Sequence, residues 1–402
     1  MSSPLTSSPR FLQIHTLVSY PAVLLNRDDA GLAKRIGYGG KVRTRVSSQC
    51  LKRHWRKAED EWGLATIGAD LSVRSREIYE RAIRQAARDA LPTVPEAVID
   101  AAGAALSRAL YGKGADVIRN RQALLLGWPE IHHLTREVIG LARDGDNAEQ
   151  VGKAADAHFK SEKANLSALK EARGTLAAGL EAALFGRMVT SDPAANTDAA
   201  IHVAHAFTVH EQESETDYFT VVDDLKAADD SQDSGSAGIF DTELTSGLFY
   251  GYVVVDVPLL VSNLAGVRPE DWAADGTDRA LAAKVVEHLI HLIATVSPGA
   301  KKGSTAPYAF AQTMLVEAGA RQPRSLASAF EEPVRPRGGA SLAATAETAL
   351  FTRLDRFDAM YGAREARGFL SLDPTAREGA EGPRPLDALA AWAAGAVAAA
   401  RL

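Results

Sequence analysis

Between Phe11 and Tyr20 the chain alternates, with Leu12, Ile14, Thr16, Val18 and Tyr20 on one side and Phe11, Gln13, His15 and Ser19 on the other. This is the period-two pattern of a sheet strand. Pro21 ends its pairing, and a loop with Gly31, Gly37, Gly39 and Gly40 leads into Lys41 to Val46, which alternates basic and β-branched residues. That run predicts a short strand or hairpin with a basic face. Ser47 or Ser48 can cap a following helix in which Leu51, Trp55, Ala58 and Trp62 form an apolar stripe. Lys52, Arg53, Arg56 and Lys57 take its other faces.

From about 70 to 185 the composition shifts to Ala, Leu, Arg and Glu at helical spacing, which predicts a helical subdomain. Thr190 to Asp198 reads as a loop. Strand-type residues return at Phe207 to Val209, Tyr218 to Val222 and Phe249 to Val257. Asp223 to Gly238, rich in Asp, Ser and Gly, reads as a solvated hairpin tip. Ala280 to Val296 is an amphipathic helix and Thr313 to Glu317 a last central strand, a plausible βαβ unit, and an Ala-rich helix follows Leu386. No internal repeat is visible.

With 402 residues, 46% of them hydrophobic, the chain is long enough for two domains or one domain with a large insertion. The single cysteine, Cys50, excludes an internal disulfide and leaves zinc without a thiolate partner, which fits a cytoplasmic protein. The N-terminal run has no apolar stretch of the kind a secretory signal needs, and no long uncharged apolar segment predicts a membrane span.

The formal net charge is −6, but it is unevenly spread: Arg27 to Lys57 holds ten basic and two acidic side chains, a local charge of +8. A polyanion senses charge within about 8 to 10 Å in ordinary salt, so the patch outweighs the total. A serine-capped helix start with Lys52, Arg53 and Arg56 close behind suits phosphate, and Arg27, Lys34, Lys41, Arg43 and Arg45 extend the series over several phosphates. The alternative is a plain solvated basic face. Tyr218, Phe219 and Thr220 in the expected hairpin can stack on nucleotides or pack in a core.

Histidines at 202, 205, 210, 288 and 291 lack the spacing of a metal motif. Gly299 to Thr305 has glycines and Ser/Thr but not the P-loop lysine position, so Lys301 and Lys302 are either backbone contacts or an exposed turn. Asp28 and Asp29 can bind a divalent metal or act as a base, or they can orient neighbouring arginines.

The segments Phe11 to Leu17, Leu25 to Asp29 and Gly39 to Arg53 resemble the CasC family, the backbone subunits of the type I-E CRISPR Cascade complex. The resemblance continues through Gly186-Arg187-Met188, Ala200 to Ala206, Asp217 to Leu225, Ser246 to Tyr250 and Pro298 to Lys301, in family order. It implies an α+β fold: a modified RNA-recognition-motif (ferredoxin-like) palm from residues 1–57 and 186–402, with helical fingers at 58–185 and a β-hairpin thumb at about 212–246. It also implies repeated copies along a guide RNA (crRNA), other Cascade subunits as partners, target DNA paired to the guide, and no cofactor, membrane contact or chemistry of its own.

Carried over by position, Arg27, Lys34, Lys41, Ser47, Ser48, Gln49, Lys52, Arg53 and Arg56 would hold guide phosphates and riboses, with Arg43, Arg45 and Lys301 beside them. Met188 would pack near distorted bases, and Tyr218, Phe219 and Thr220 would wedge at a kink. Family members often carry Trp where Tyr218 stands, and the thumb tip here is long and acidic. Two other readings stay open: a metal-dependent ribonuclease of the related type III backbone kind using Asp28 or Asp29, and a general RNA-binding oligomer.

Overall fold

A computed structural model describes residues 8–112, 114–161, 166–222, 236–336, 338–373 and 382–401. Most of the expected acidic tip, residues 223–235, lies outside these. The chain divides into two compact units, one of Met1–Gly63, Val203–Val254 and Val286–Ala396, the other of Leu64–His202, Val255–Val285 and Val397–Leu402. The strands along the sequence are β1 (Phe11–Val23), β2 (Arg35–Tyr38), β3 (Lys41–Val46), β4 (Ser72–Ser75), β5 (Leu124–Gly127), β6 (Ile201–Val203), β7 (Ala206–Thr208), β8 (Glu213–Val222), β9 (Ser236–Asp256), β10 (Thr313–Gly319) and β11 (Ala366–Ser371). The helix at the end of β3 is α1 (Ser48–Arg56).

The first unit is built on a sheet in the order β11, β10, β1, β9, β7, β3, β2. The pairs β1/β10, β10/β11, β2/β3, β3/β7 and β7/β9 are antiparallel. The expected last strand, at Thr313 to Glu317, is flanked instead by β11, whose Ser371 to Ala366 pair with Thr313 to Ala318. β1 alternates because its two faces meet different partners. Thr16, Val18 and Tyr20 face Leu51 and Trp55 of α1 and Ile293 of the Ala280–Thr295 helix across a cavity of about 50 Å³. Leu17 turns the other way, into a core with Leu315, Tyr250, Phe330 and, from the Leu342–Tyr361 helix, Leu350, Phe351 and Leu354. Each such fully buried side chain contributes roughly 1.5–3 kcal/mol.

A polar cluster interrupts this core. His15, fully buried, has Nδ1 2.9 Å from the Tyr250 hydroxyl and Nε2 3.3 Å from a Glu317 carboxylate oxygen. Arg324 and Arg367 donate to the same carboxylate. Burial alone would raise Glu317, but hydrogen bonds from His15 and Arg324 and the charge of Arg367 outweigh it and hold the carboxyl well below its usual range. Burial lowers His15 from its ordinary 6.5 despite Glu317, and Arg324 and Arg367 lower it further. The unfolded chain therefore takes up this proton at a higher pH than the folded one, and stability declines as pH falls below about 6.5. Thermal melting between about pH 7.5 and 5.5 should show a decline that is shallower in His15→Gln. Equal slopes in the two proteins would remove His15 from the account.

The second unit packs the helices Glu96–Tyr111, Trp128–Arg143 and Ala148–Ser161 through Ile99, Leu106, Ile131, Leu134, Val138, Val151 and Phe159. It is not purely helical, because β4 and β5 pair within it. Nor does it stop at residue 185. The Val257–Ala265 helix joins it, with Asn263 Nδ2 donating to the carbonyls of Ala183 (2.8 Å) and Asp198 (3.1 Å).

Candidate nucleic-acid interface

The interface is carried by the first unit and starts at the loop after β1. Asn26 fastens this loop twice: its side-chain oxygen accepts the Ser47 backbone N–H at 2.9 Å, and its carbonyl accepts that of Lys34 at 3.0 Å. Within the loop the Asp28 carboxylate accepts from the Leu32 backbone N–H at 2.9 Å and Gly31 turns at φ +87. Asp28 thus has a turn-forming role, with Asp29 exposed beside it. Together with Arg27, Ala33, Lys34, Arg35 and Arg45 these two acids line an open cleft of about 620 Å³. Four cations against two carboxylates leave it suited to an anionic ligand with sugar-sized bulk.

The side chains at the cleft are held by specific partners. Arg45 donates from Nε to the Arg35 carbonyl at 2.9 Å, and its NH1 lies 2.9 Å from His205 Nδ1. Burial lowers His205, with Arg45 and Lys34 adding to the effect, so the ring accepts from Arg45 as a neutral imidazole. Arg35 pairs with the buried Glu243 of β9, and Lys41 lies 3.2 Å from Glu211.

Arg43 departs from expectation. Its side chain is fully buried, donating to the carbonyls of Thr208 (3.0 Å), Phe330 (3.1 Å) and Glu331 (3.2 Å), with its guanidinium over the Tyr38 ring. It fastens the β2–β3 hairpin and is removed from the RNA-binding set, since a group enclosed by three backbone acceptors has no surface left for phosphate.

Ser47 is the N-cap of α1, its Oγ accepting from the Cys50 backbone N–H at 3.3 Å. Ser47 and Ser48 are both buried, the Ser48 hydroxyl donating to the Gln49 side-chain oxygen at 3.4 Å, and Gln49 is the exposed residue of the three. Beyond them Arg53 is exposed, and Lys52 and Arg56 are half-buried. The loop at Gly299 reaches this helix: burial lowers His54, Lys302 and Arg53 add to that, and backbone hydrogen bonds at Cys50 and Gly299 oppose it.

β8 and the first half of β9 form a hairpin, with Glu213 opposite Ser246 and Phe219 opposite Phe240. Tyr218 and Thr220 lie on one side of the strand and Phe219 on the other. The aromatics are not in a core: Tyr218 is 64% and Phe219 40% exposed. Phe219 stacks on Phe240 at 5.6 Å, and Lys301 Nζ stands 5.6 Å from the Phe219 ring centre while donating to Thr242. Phe240 was not among the expected site residues, although the register of a hairpin identifies it once Phe219 is chosen.

Met188 belongs to the other unit and is 62% exposed. The residue before it, Arg187, is buried and paired with Glu130. Among the described residues no cluster of three His, Cys, Asp or Glu side chains could hold a metal ion.

A family model described as CT1975-like protein matches residues 12–392. No curated protein matches the sequence. A solved chain from a structure titled "CRISPR RNA-guided surveillance complex, pre-nicking" is 27% identical with a TM-score of 0.73, the match covering 95% of this chain and 100% of that one. A second, from "CRISPR RNA-guided surveillance complex", is 22% identical with a TM-score of 0.56, covering 96% and 99%, and speaks to fold alone. The Cas backbone family suggested by the sequence motifs and the family found by comparison agree. The chain belongs to the CT1975-like family of Cas proteins.

Proposed function

We propose that this chain is a backbone subunit of a type I-E CRISPR Cascade surveillance complex, working in the cytoplasm, in which several copies line up along a guide RNA and present its bases to target DNA. The observation that carries the reading is the run of cationic groups on one unit: Arg27, Lys34, Arg45 and Arg35 at the cleft, then Arg53 on α1, then Lys301 at the hairpin. Such a surface holds sugar and phosphate without reading sequence, which leaves recognition to Watson–Crick pairing. No chemistry is assigned to the subunit, and cutting falls to another component.

The sheet order β10, β1, β9, β7, with α1 and the Ala280–Thr295 helix on one face, supports a palm of the RNA-recognition-motif type. The β8–β9 hairpin serves as its thumb. Tyr218, Phe219 and Phe240 supply ring faces against which a displaced base can stack.

Replacing Lys52 and Arg53 together by Ala tests the reading. Two lost phosphate contacts should weaken binding of single-stranded RNA and reduce the slope of log affinity against log salt by about 1.4. An unaltered slope in filter-binding titrations would move both residues off the interface.

A further inference from the structure

Beyond the hairpin, two large aromatic side chains stand almost fully in solvent: Tyr308 at 72% and Phe310 at 69% exposed. Among the described residues neither ring has a stacking partner. Yet the backbone that carries them is fixed. Ala309 N–H donates to Ser297 Oγ at 2.9 Å, and that hydroxyl donates to the Ala309 carbonyl at 3.0 Å. Ala311 N–H is bonded to the Ala294 carbonyl and Gln312 N–H to that of Leu17, both in the core unit.

The turn into this segment is strained. Ala306 sits at φ +40, a left-handed conformation that costs a residue with a Cβ of order 1–2 kcal/mol, and Tyr308 N–H closes on the Ala306 carbonyl at 2.7 Å. Pro307 is buried against Gly299, where a Cβ would come within 2.7 Å of the proline ring. Strain and rigid tethering that end in two exposed rings are not explained by packing.

The other end of the same turn bears Lys301 and Lys302, the first beside Phe219 and the second beside His54 of α1. Tyr308 and Phe310 follow these lysines within nine residues, on a backbone held to the same unit. Ring faces next to backbone-tracking lysines are the usual arrangement for gripping a single strand. We infer that Tyr308 and Phe310 form a stacking platform for bases of the guide RNA, beside phosphates held by Lys301 and Lys302. This rests on the function proposed above and adds to it a base-contacting site separate from the hairpin.

Leucine keeps the bulk and apolarity of these side chains but has no ring face, so the pair Tyr308→Leu/Phe310→Leu distinguishes stacking from apolar docking of a protein. Exposed Leu372, whose N–H bonds the Gln312 carbonyl, gives that second possibility a place to occur. The full chain is titrated with a single-stranded RNA carrying 2-aminopurine, alongside the DNA of the same sequence, and its self-association is followed by sedimentation. Both leucines should weaken RNA binding by about tenfold or more and relieve quenching of the probe. The salt slope and the melting temperature should stay as in the parent, and Tyr308→Phe should behave as the parent.

Unchanged affinity and quenching, an effect confined to self-association, or a loss seen with DNA but not RNA would each overturn the platform. The Lys52→Ala/Arg53→Ala protein separates the two levels. If it loses RNA binding while the leucine pair does not, only the platform fails. If neither variant changes RNA binding, the guide-backbone reading fails with it.

Discussion

Arg187→Leu is expected to lower stability by about 3–5 kcal/mol, because it leaves a buried carboxylate without its cation. The Arg187 and Glu130 side chains are 1% and 0% exposed and form a direct ion pair. Among the described residues Glu130 otherwise accepts from the Gly127 N–H, at 3.0 Å, while Arg187 also donates to the Ala195 carbonyl from Nε and NH2 at 3.1 and 2.9 Å. Glu130→Leu should be similarly costly, since a guanidinium would remain with backbone acceptors alone. The double variant should lose less than the two single losses combined, as a buried pair exchanged for apolar groups approaches neutrality. Urea denaturation of the four proteins checks this, and single variants within about 1 kcal/mol of the parent would contradict it. A functional consequence follows, because Arg187 fixes the backbone from which exposed Met188 projects.

Gly39→Ala is the second large effect. Tyr38 and Lys41 pair across a two-residue turn whose glycines, Gly39 and Gly40, both have positive φ, +59 and +71. Such turns match the twist of the strands they join. At Gly39 an added Cβ would fall 1.7 Å from the Glu331 carbonyl oxygen, whereas at Gly40 nothing lies within 4 Å. Relief requires lifting the hairpin off residues 330 and 331, which breaks the Arg43 hydrogen bonds to those carbonyls. Hydrogen bonds from a charged donor contribute about 1.5–3 kcal/mol each, so with the backbone strain the expected loss is about 3–5 kcal/mol. Gly40→Asn should cost little, because Asn accepts a left-handed backbone. Equal losses at both positions would show that the approach to Glu331 is unimportant.

Arg43 also marks the boundary of what sequence alone can tell. Lys41, Arg43 and Arg45 alternate and share a face by period, and no local feature separates the middle one from its neighbours. What separates it is the chain at Phe330 and Glu331, some 288 residues away. β11 escaped for a related reason: Ala366 to Ser371 has no clear alternation, and it is held by pairing with β10 and by Arg367 binding Glu317 and Asp358. The elements that could be read were those whose pattern is local. β1 alternates, the α1 stripe holds at Leu51 and Trp55 while Ala58 and Trp62 lie beyond the helix end at Arg56, and the hairpin carrying Tyr218 and Phe219 follows from two β-rich runs around a polar tip. The platform at Tyr308 and Phe310 was hidden because two aromatics in a loop look the same whether buried or bare.

β9 runs for 21 residues, pairing with β8 as far as Ser246 and then burying Leu248 and Tyr250 in the core. Thr245 and Ser246, at the point of passage, are bonded to the backbone of Val23 and Ala22. Among the described residues β9 is unbroken from arm to body, so the arm behaves as a strut whose length follows from its residue count at roughly 3.3 Å per residue. In the proposed assembly such a strut acts as a gauge. The distance from one copy to the next is bounded by backbone geometry, and a longer or shorter arm would change the pitch of the whole array.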